Sequence, residues 1–413
     1  SSDVCSSDLL FPWKKRGGSA LSITTIGKTD CLPEEAGYDS GRIRALNEHF
    51  IRMMERGEIE GAAYCISRYG KVIAQNGIGL AHYYDKDGPM QPDTIHGIAS
   101  VTKTFTAVAV MKLVEDGYTR LDVKVGDILP QFSQKPFDGI TLFHLLTHTS
   151  GLSPDPGCLP NPYFVSPWQY IEEAAKNGKP GEAFDWLTPA LSCGMRKQPG
   201  EEWQYCSFGF AVLGAVIQKL SGKKAEQYIS DMILSPLGLK DTFFLPAEPK
   251  KRNRIHFIDE QEKEEVGSAV NGGEEADSFW QQVPETGGGL FSTPGDLIRF
   301  ANMMLGMGRL EEVRILGRKT VEKMTASALS HVPDNCWDAG VADRKYGIGF
   351  DRREGPGFLY SEGTYMHEGA GSCSLVIDPA EQLAAAWFVP YRPGEWYAEG
   401  LWNVSNIIWS GLL

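Results

Sequence analysis

Residues 97–106 have the sequence Gly-Ile-Ala-Ser-Val-Thr-Lys-Thr-Phe-Thr and lead into the helical pattern that organises the middle of the chain. That pattern predicts a helix over residues 102–115, followed by Gly117, a residue typical of the position beyond a helix C-terminus. Its apolar side chains recur at helical spacing: Phe105, Val108, Ala109 and Leu113. Since residues 170–176 and 211–220 also have helical patterns, the middle of the chain is predicted to be predominantly helical.

Ser100 and Lys103 are three residues apart at the start of this predicted helix, so their side chains lie on one face about one turn apart. A serine hydroxyl becomes a nucleophile when a base lies nearby, and a lysine whose pKa is lowered by burial can be that base. Ser-x-x-Lys also occurs by chance, and a serine before a helix is most often a cap. The spacing alone leaves both roles open.

Short β-prone runs lie near both ends of the chain, and neither end has enough of them for a stable sheet. The runs are residues 63–68, 72–75, 346–350, 374–377 and 384–389. Pairing the two sets gives the simplest architecture. We therefore predict an α+β fold: an antiparallel sheet flanked by helices and built from both chain ends, with an inserted, mainly helical domain.

The predicted sheet domain comprises residues 21–100 and 286–413, and the predicted helical domain comprises residues 101–285. Within the helical domain, residues 246–285 are polar and glycine-rich, which predicts a long loop near the site. Residues 1–20 begin with a Ser/Asp-rich stretch unlike anything that follows, so we expect a non-native or disordered leader there.

Composition narrows the choice of partners. The formal net charge of -13, from 53 acidic and 40 basic residues, gives no favourable field towards nucleic acid or anionic lipid. The sequence contains no run of about 18 apolar residues, so no membrane span is predicted.

The eight cysteines lack the short paired spacing of zinc or redox sites, which predicts reduced, mostly buried thiols. Without an apolar secretory signal, we expect a cytoplasmic location.

Further segments accompany residues 97–106 in an order found in one known family. They are residues 121–122, 128–130, 144–152, 199–205, 287–293 and 346–350. Together these segments resemble the serine β-lactamase-like superfamily, in the branch that holds class C β-lactamases, esterases of the β-lactamase fold and D-amino peptidases. The resemblance extends over about residues 40–390, which is most of the chain.

The resemblance implies a third catalytic residue, Tyr205, whose phenol would lie near Ser100 and relay a proton with Lys103. It also implies that the oxyanion is held by the backbone N–H groups of Ser100 and Ala370. Ser207 stands where the family often has an asparagine, and it supplies a hydroxyl instead of an amide. The residues alone leave open that Tyr205 is a core aromatic with a bonded hydroxyl.

A third family motif, Lys-Thr-Gly on a strand, is similar to residues 367–369, which here are His-Glu-Gly. A lysine would hold a fixed positive charge for a substrate carboxylate, whereas an unperturbed histidine is mostly neutral at pH 7. The resemblance implies that Ser207, His367 and Gly369 bind substrate, with Gly369 permitting close backbone approach. Carboxylate-bearing β-lactams are then expected to bind less tightly.

His144 and His148 are four residues apart and could suggest a metal pair, but no third ligand and no His-Glu-x-x-His pattern accompanies them. Their family context indicates a structural role, so we predict no metal and no cofactor. Three tryptophans are candidates for an apolar acyl pocket, with core packing as the alternative for each: Trp186, Trp280 and Trp337.

We therefore predict a serine hydrolase that forms an acyl-enzyme on Ser100, most simply a carboxylesterase acting on a small-molecule ester or amide. The alternatives are a β-lactamase, a D-amino-acid peptidase or amidase, an acyltransferase, and a catalytically silent binding protein of the same fold. Lys103 and Tyr205 are both candidates for the general base, because their protons are coupled.

Overall fold

A computed structural model of the 413-residue chain describes residues 23–159, 166–176, 183–271, 282–353, 355–370, 373–390 and 398–413. Its helices are α1 Ser40–Glu55, α2 Thr102–Glu115, α3 Leu142–Leu146, α4 Pro167–Ala175, α5 Leu187–Leu191, α6 Ser207–Ser221, α7 Ala225–Ile229, α8 Pro249–Arg252, α9 Glu260–Asn271, α10 Pro294–Leu305, α11 Arg318–Thr325 and α12 Val404–Trp409. Its strands are β1 Thr24–Ile26, β2 Gly61–Arg68, β3 Lys71–Tyr83, β4 Asp87–Pro89, β5 His96–Gly97, β6 Phe243–Phe244, β7 His256–Phe257, β8 Leu290–Ser292, β9 Arg309–Leu310, β10 Val313–Arg314, β11 Tyr365–Gly369, β12 Cys373–Asp378 and β13 Leu383–Phe388. The predicted leader, residues 1–20, lies outside the described residues.

The main sheet joins the two ends of the chain. Its strand order is β1-β3-β2-β13-β12-β11, with β4 and β7 paired to β3. The N- and C-terminal contributions meet where β2 and β13 run antiparallel, with Tyr64 opposite Trp387. Every residue of β2, β12 and β13 is buried, as expected for strands covered on both faces. The predicted α+β fold is confirmed.

Helices cover both faces of the sheet. Successive β2 side chains point to opposite faces, so each face has apolar side chains that pack against a helical layer. Tyr64 and Ile66 pack in an apolar cluster with residues of α1 and α12. Cys65, on the other face, belongs to the larger cluster that contains residues of α2, α6 and α10. In that cluster Phe105 of α2 stacks on Phe300 of α10 with ring centroids 4.1 Å apart. The start of α2 is therefore held against the sheet, and the domain boundaries at residues 100 and 286 stay predictions.

Residues 246–285 differ from the predicted long loop. The described part of this segment contains α8, β7 and α9, so the loop prediction is wrong there. α9 has two buried positions, Gly267 and Val270, in twelve residues. Such a helix lacks the apolar stripe on which a periodicity argument depends.

Residues 346–350 form a turn where the sequence predicts a strand. The Gly347 N–H donates to the Phe350 carbonyl at 2.8 Å. Gly349 has a φ of 74°, and a Cβ atom there would lie 2.2 Å from Cβ of Ala107 in α2. The segment is therefore packed against α2 so closely that glycine is required.

One cysteine pair contradicts the prediction of reduced thiols. Cys158 and Cys336 are buried and form a disulfide, with Cα atoms 4.4 Å apart. They are 178 residues apart in the sequence, so an argument from short cysteine spacings could not identify the pair. The expectation of a cytoplasmic location loses its support from cysteine usage. No helix within the described ranges is long and apolar enough to cross a membrane.

Candidate active site

Ser100 lies on a tight turn between β5, which pairs with β8 outside the main sheet, and α2. The 3-10 turn Ala99–Val101 leads directly into the helix, and the Ile98 N–H donates to the Leu290 carbonyl at 2.9 Å. Ala99 has a φ of 41°, a conformation that costs energy for a residue with a side chain. The surrounding contacts hold this strained turn, and Ser100 remains partly exposed.

Lys103 is completely buried one turn along α2 and points back to Ser100. Its Nζ donates to Ser100 Oγ at 2.9 Å and to the Gly287 carbonyl at 2.7 Å. Burial lowers the pKa of the amine to about 8, an effect that the nearby Asp155 carboxylate partly opposes. A sizeable neutral fraction is therefore present near neutral pH.

Tyr205 completes the cluster from the segment that precedes α6. Its phenol is hydrogen-bonded to the side chains of Ser100 and Ser207, and burial raises its pKa far above the ordinary value. The Lys103 Nζ lies 5.0 Å from the centroid of the Tyr205 ring. The structure thus brings together the three residues named from the sequence, and it keeps the phenol protonated.

The His148 ring packs against the Tyr205 ring, a contact that the sequence does not reveal. Their ring centroids are 4.4 Å apart, and His148 Nδ1 accepts from the N–H of Cys206 at 3.0 Å. His144 is engaged elsewhere, with Nδ1 accepting from the N–H of Thr141 at 3.1 Å. The pair is therefore not arranged around a common point, and no group of metal-ligating side chains occurs in the part of the chain that the structure describes.

Ser207 is paired with a carboxylate that the sequence does not single out. Its Oγ donates to Asp155 Oδ2 at 2.5 Å, and its N–H donates to Asp155 Oδ1 at 2.6 Å. Asp155 lies more than fifty positions earlier, in a loop without regular spacing, so no sequence signal connects the two residues. Next to Tyr205, the predicted substrate-binding hydroxyl is thus accompanied by a negative charge.

Strand β11 forms the opposite wall. A Cβ atom at Gly369 would lie 2.4 Å from the carbonyl oxygen of Ile98, so the absence of a side chain lets β11 lie against the Ser100 turn. Ala370 follows directly and is exposed. The two backbone positions that the resemblance assigns to the oxyanion, Ser100 and Ala370, therefore belong to adjoining segments.

His367 on β11 is buried and neutral. Burial, together with the nearby Lys103 amine, lowers its pKa to about 4. Its Nδ1 lies 2.8 Å from the Glu368 carbonyl, which can only accept, so we assign the ring proton to Nδ1. Nε2 is then an acceptor. The expectation that position 367 holds no fixed positive charge agrees with this environment.

The candidate tryptophans divide by burial. Trp337 is 55% exposed and its ring centroid lies 5.5 Å from that of Tyr205, at the outer side of the cluster. Trp186 is buried against Phe208, which places it in the core. Trp280 lies outside the described residues. Trp337 alone of the two described candidates lies beside the proposed catalytic residues.

Known proteins resemble this chain in fold and in part of the sequence. The family described as Beta-lactamase matches residues 46–403. Esterase EstB of Burkholderia gladioli is 32% identical over 232 residues, covering 53% of this chain and 56% of the esterase, so the chain matches little more than half of that relative's length. A putative D-alanyl-D-alanine carboxypeptidase of Escherichia coli K12 is 24% identical over 389 residues, covering 86% of this chain and 83% of that protein.

Among solved structures, an octameric penicillin-binding protein homologue from Pyrococcus abyssi superposes with a TM-score of 0.63 at 26% identity. That match covers 86% of this chain and 76% of the homologue. Since the family match spans most of the sequence and includes every residue of the cluster around Ser100, the chain belongs to the beta-lactamase family.

Proposed function

We propose that the protein is a carboxylesterase that forms an acyl-enzyme on Ser100. The observation that carries the proposal is the hydrogen bonding at one hydroxyl: Ser100 Oγ is 2.9 Å from the Lys103 amine and is also bonded to the Tyr205 phenol. A hydroxyl beside a buried amine of lowered pKa is the arrangement that nucleophilic catalysis requires.

Lys103 is the general base in this proposal. Its pKa of about 8 makes the neutral amine accessible near pH 7, whereas burial keeps the Tyr205 phenol protonated. The amine takes the Ser100 proton as the oxygen attacks the substrate carbonyl. The backbone N–H groups of Ser100 and Ala370 are the proposed donors to the resulting oxyanion.

The ester bond then breaks. The proton that Lys103 took from Ser100 passes through the Tyr205 hydroxyl to the leaving alkoxide. A water molecule attacks the acyl group in the second half-reaction and gives a proton to Lys103. The bond to Ser100 breaks, and the serine oxygen recovers that proton. The enzyme is regenerated, and the products are an alcohol and a carboxylic acid.

An ester is preferred over a β-lactam because the site lacks a positive charge at position 367. His367 is neutral, and Ser207 is bonded to the Asp155 carboxylate, so neither stabilises a substrate carboxylate. The similarity to an esterase over half the chain supports the same choice. A β-lactamase, a D-amino-acid peptidase or amidase, an acyltransferase and a silent binding protein remain alternatives for the test to separate.

The test combines labelling with a substrate panel. Wild type is expected to react with a fluorophosphonate, and Ser100→Ala is expected to lose the label. Ser410→Ala, at the end of α12 on the far side of the sheet, is the matched control and should keep it. A nitrophenyl ester should be hydrolysed faster than a chromogenic cephalosporin or a D-amino-acid amide. Absence of label in wild type would favour a silent protein, and a faster cephalosporin would overturn the ester assignment.

A further inference from the structure

We propose that Asp155 makes the site select substrates by charge, favouring acyl groups that are cationic or neutral over those that carry a carboxylate. This inference rests on the proposed esterase function and adds the class of acyl group to it. It starts from the hydrogen-bonded row of side chains that leads from the nucleophile to Asp155.

Asp155 is fixed in position through both its backbone and its side chain. Its N–H donates to the Tyr205 carbonyl at 2.8 Å, and its own carbonyl accepts from the N–H of Cys158 at 3.1 Å. Its two carboxylate oxygens accept from the N–H and Oγ of Ser207. The charge therefore stays beside Tyr205 and does not move with a mobile surface side chain.

Polar contacts connect the carboxylate to the nucleophile. Asp155 accepts from Ser207 Oγ at 2.5 Å, and the Tyr205 phenol interacts with the side chains of both Ser207 and Ser100. The Asp155 charge also acts on Lys103, whose amine is 2.9 Å from Ser100 Oγ. A charge on the acyl group that lies within about 10 Å of this carboxylate has its binding changed by about tenfold when water only partly screens the pair.

The other charged groups near the site do not reverse this field. His367 is neutral, and its Nε2 can only accept. Arg344 lies over the Trp203 ring and is neutralised by Asp351, 2.7 Å away, and Arg353 is 2.9 Å from Glu368. Lys103 donates to Ser100 and Gly287 and must lose its charge to act as the base. The groups that a substrate contacts therefore include the His367 Nε2 acceptor and the Asp155 carboxylate, and neither of them is positively charged.

Asp155 also caps α6, because it accepts from the first backbone N–H of that helix, Ser207 N–H. A purely structural role would lower the turnover of all substrates together when the carboxylate is changed. Charge selection instead alters the ratio between substrates of different charge. That ratio, and not the absolute rate, is the informative measurement.

The experiment uses three nitrophenyl esters with acyl chains of equal length. One chain ends in a trimethylammonium group, the second in its tert-butyl isostere, and the third in a carboxylate. For wild type we expect kcat/KM to be highest for the cationic and neutral esters and about tenfold lower for the anionic ester. In Asp155→Asn, which keeps an acceptor for Ser207 N–H, the anionic-to-neutral ratio should rise about tenfold.

Asp122→Asn, on an exposed loop, is the control for net charge alone and should leave all three ratios as in wild type. An unchanged ratio in Asp155→Asn would overturn the charge-selection inference while turnover of the esters upheld the esterase. If wild type hydrolysed none of the three esters and took no fluorophosphonate label, the proposed function itself would fail. If the Asp155→Asn ratio moved and the Asp122→Asn ratio did not, the inference would stand.

Discussion

Lys103 and His82 are basic side chains in hydrogen-bonded clusters, and their surroundings move their pKa values in opposite directions. Lys103 is buried and donates to a hydroxyl and a carbonyl, and burial lowers its pKa to about 8. His82 is partly exposed and lies 2.6 Å from Glu60 and 2.9 Å from Asp87, which raise its pKa to about 9.

The difference shows what a cluster needs in order to donate and accept protons. Neutral partners do not offset the loss of hydration of a charge, so the pKa of the Lys103 amine falls to about 8 and part of it is neutral near pH 7. Two carboxylates do offset that loss, so His82 keeps its proton and links β3 to Glu60 and to β4. The first arrangement suits catalysis, and the second suits the stability of the sheet.

The largest expected effect is on catalysis at Lys103. Lys103→Met removes the base but preserves much of the volume, and kcat/KM on a nitrophenyl ester should fall about a thousandfold or more. Lys112→Met, at the surface end of the same helix, is the control and should remain within a few-fold of wild type. Activity of Lys103→Met within tenfold of wild type would break the comparison, because the lowered pKa would then have no catalytic use.

The pH dependence of turnover sharpens the same contrast. If neutral Lys103 is the base, kcat/KM should rise about tenfold for each pH unit below pH 8 and level off above it, about a hundredfold in all between pH 6 and pH 9. His367, with a pKa of about 4, contributes no step in this range. The measurement is kcat/KM on a neutral ester, corrected for spontaneous hydrolysis, and a flat profile would show that another group is the base.

Regular periodicity made most of the fold predictable. The helix over residues 102–115 and the central strands carry apolar side chains at the spacing of their element, and the structure places them there. α9 was missed because its sequence lacks an apolar face. The turn at residues 346–350 was missed because the close packing of Gly349 on α2 is a tertiary contact that the local sequence does not show.

In the site, too, residues joined by short-range contacts could be predicted, and residues joined only by long-range contacts could not. Ser100 and Lys103 are visible as a pair because one helical turn joins them. Tyr205 came only through the resemblance, since it lies a hundred positions away and no local pattern marks it. Asp155 was found by neither argument, because its role consists of contacts with Ser207 that exist only in the folded chain. His148 was assigned a structural role through the resemblance, but its contact with the Tyr205 ring is visible only in the structure.

A substitution at Gly369 tests whether catalysis by Lys103 also needs β11 to lie close to the Ser100 turn. Gly369→Ala adds a Cβ atom 2.4 Å from the Ile98 carbonyl, which forces β11 away from the Ser100 turn. We expect kcat/KM on the ester to fall about tenfold or more, since small displacements of oxyanion donors are costly. Gly355→Ala, whose added Cβ atom would meet nothing within 4 Å, is the control and should keep wild-type activity. Full activity in Gly369→Ala would mean that the close contact is not used.

The smallest expected effect is on stability at His82. Because its folded pKa is raised, His82 contributes stability that is complete below its unfolded pKa of about 6.5 and is lost as the pH rises through about 9. Since both carboxylates are partly exposed, the contribution is about 1 kcal/mol. His82→Gln should therefore lower the free energy of unfolding by about that amount at pH 6 and have little effect at pH 10, as measured by urea denaturation. The difference between the two proteins cancels other titrating groups, including Lys103, whose lowered pKa makes stability increase with pH. A difference that stayed constant from pH 6 to pH 10 would show that His82 is held by packing and not by charge, and the contrast with Lys103 would no longer be electrostatic.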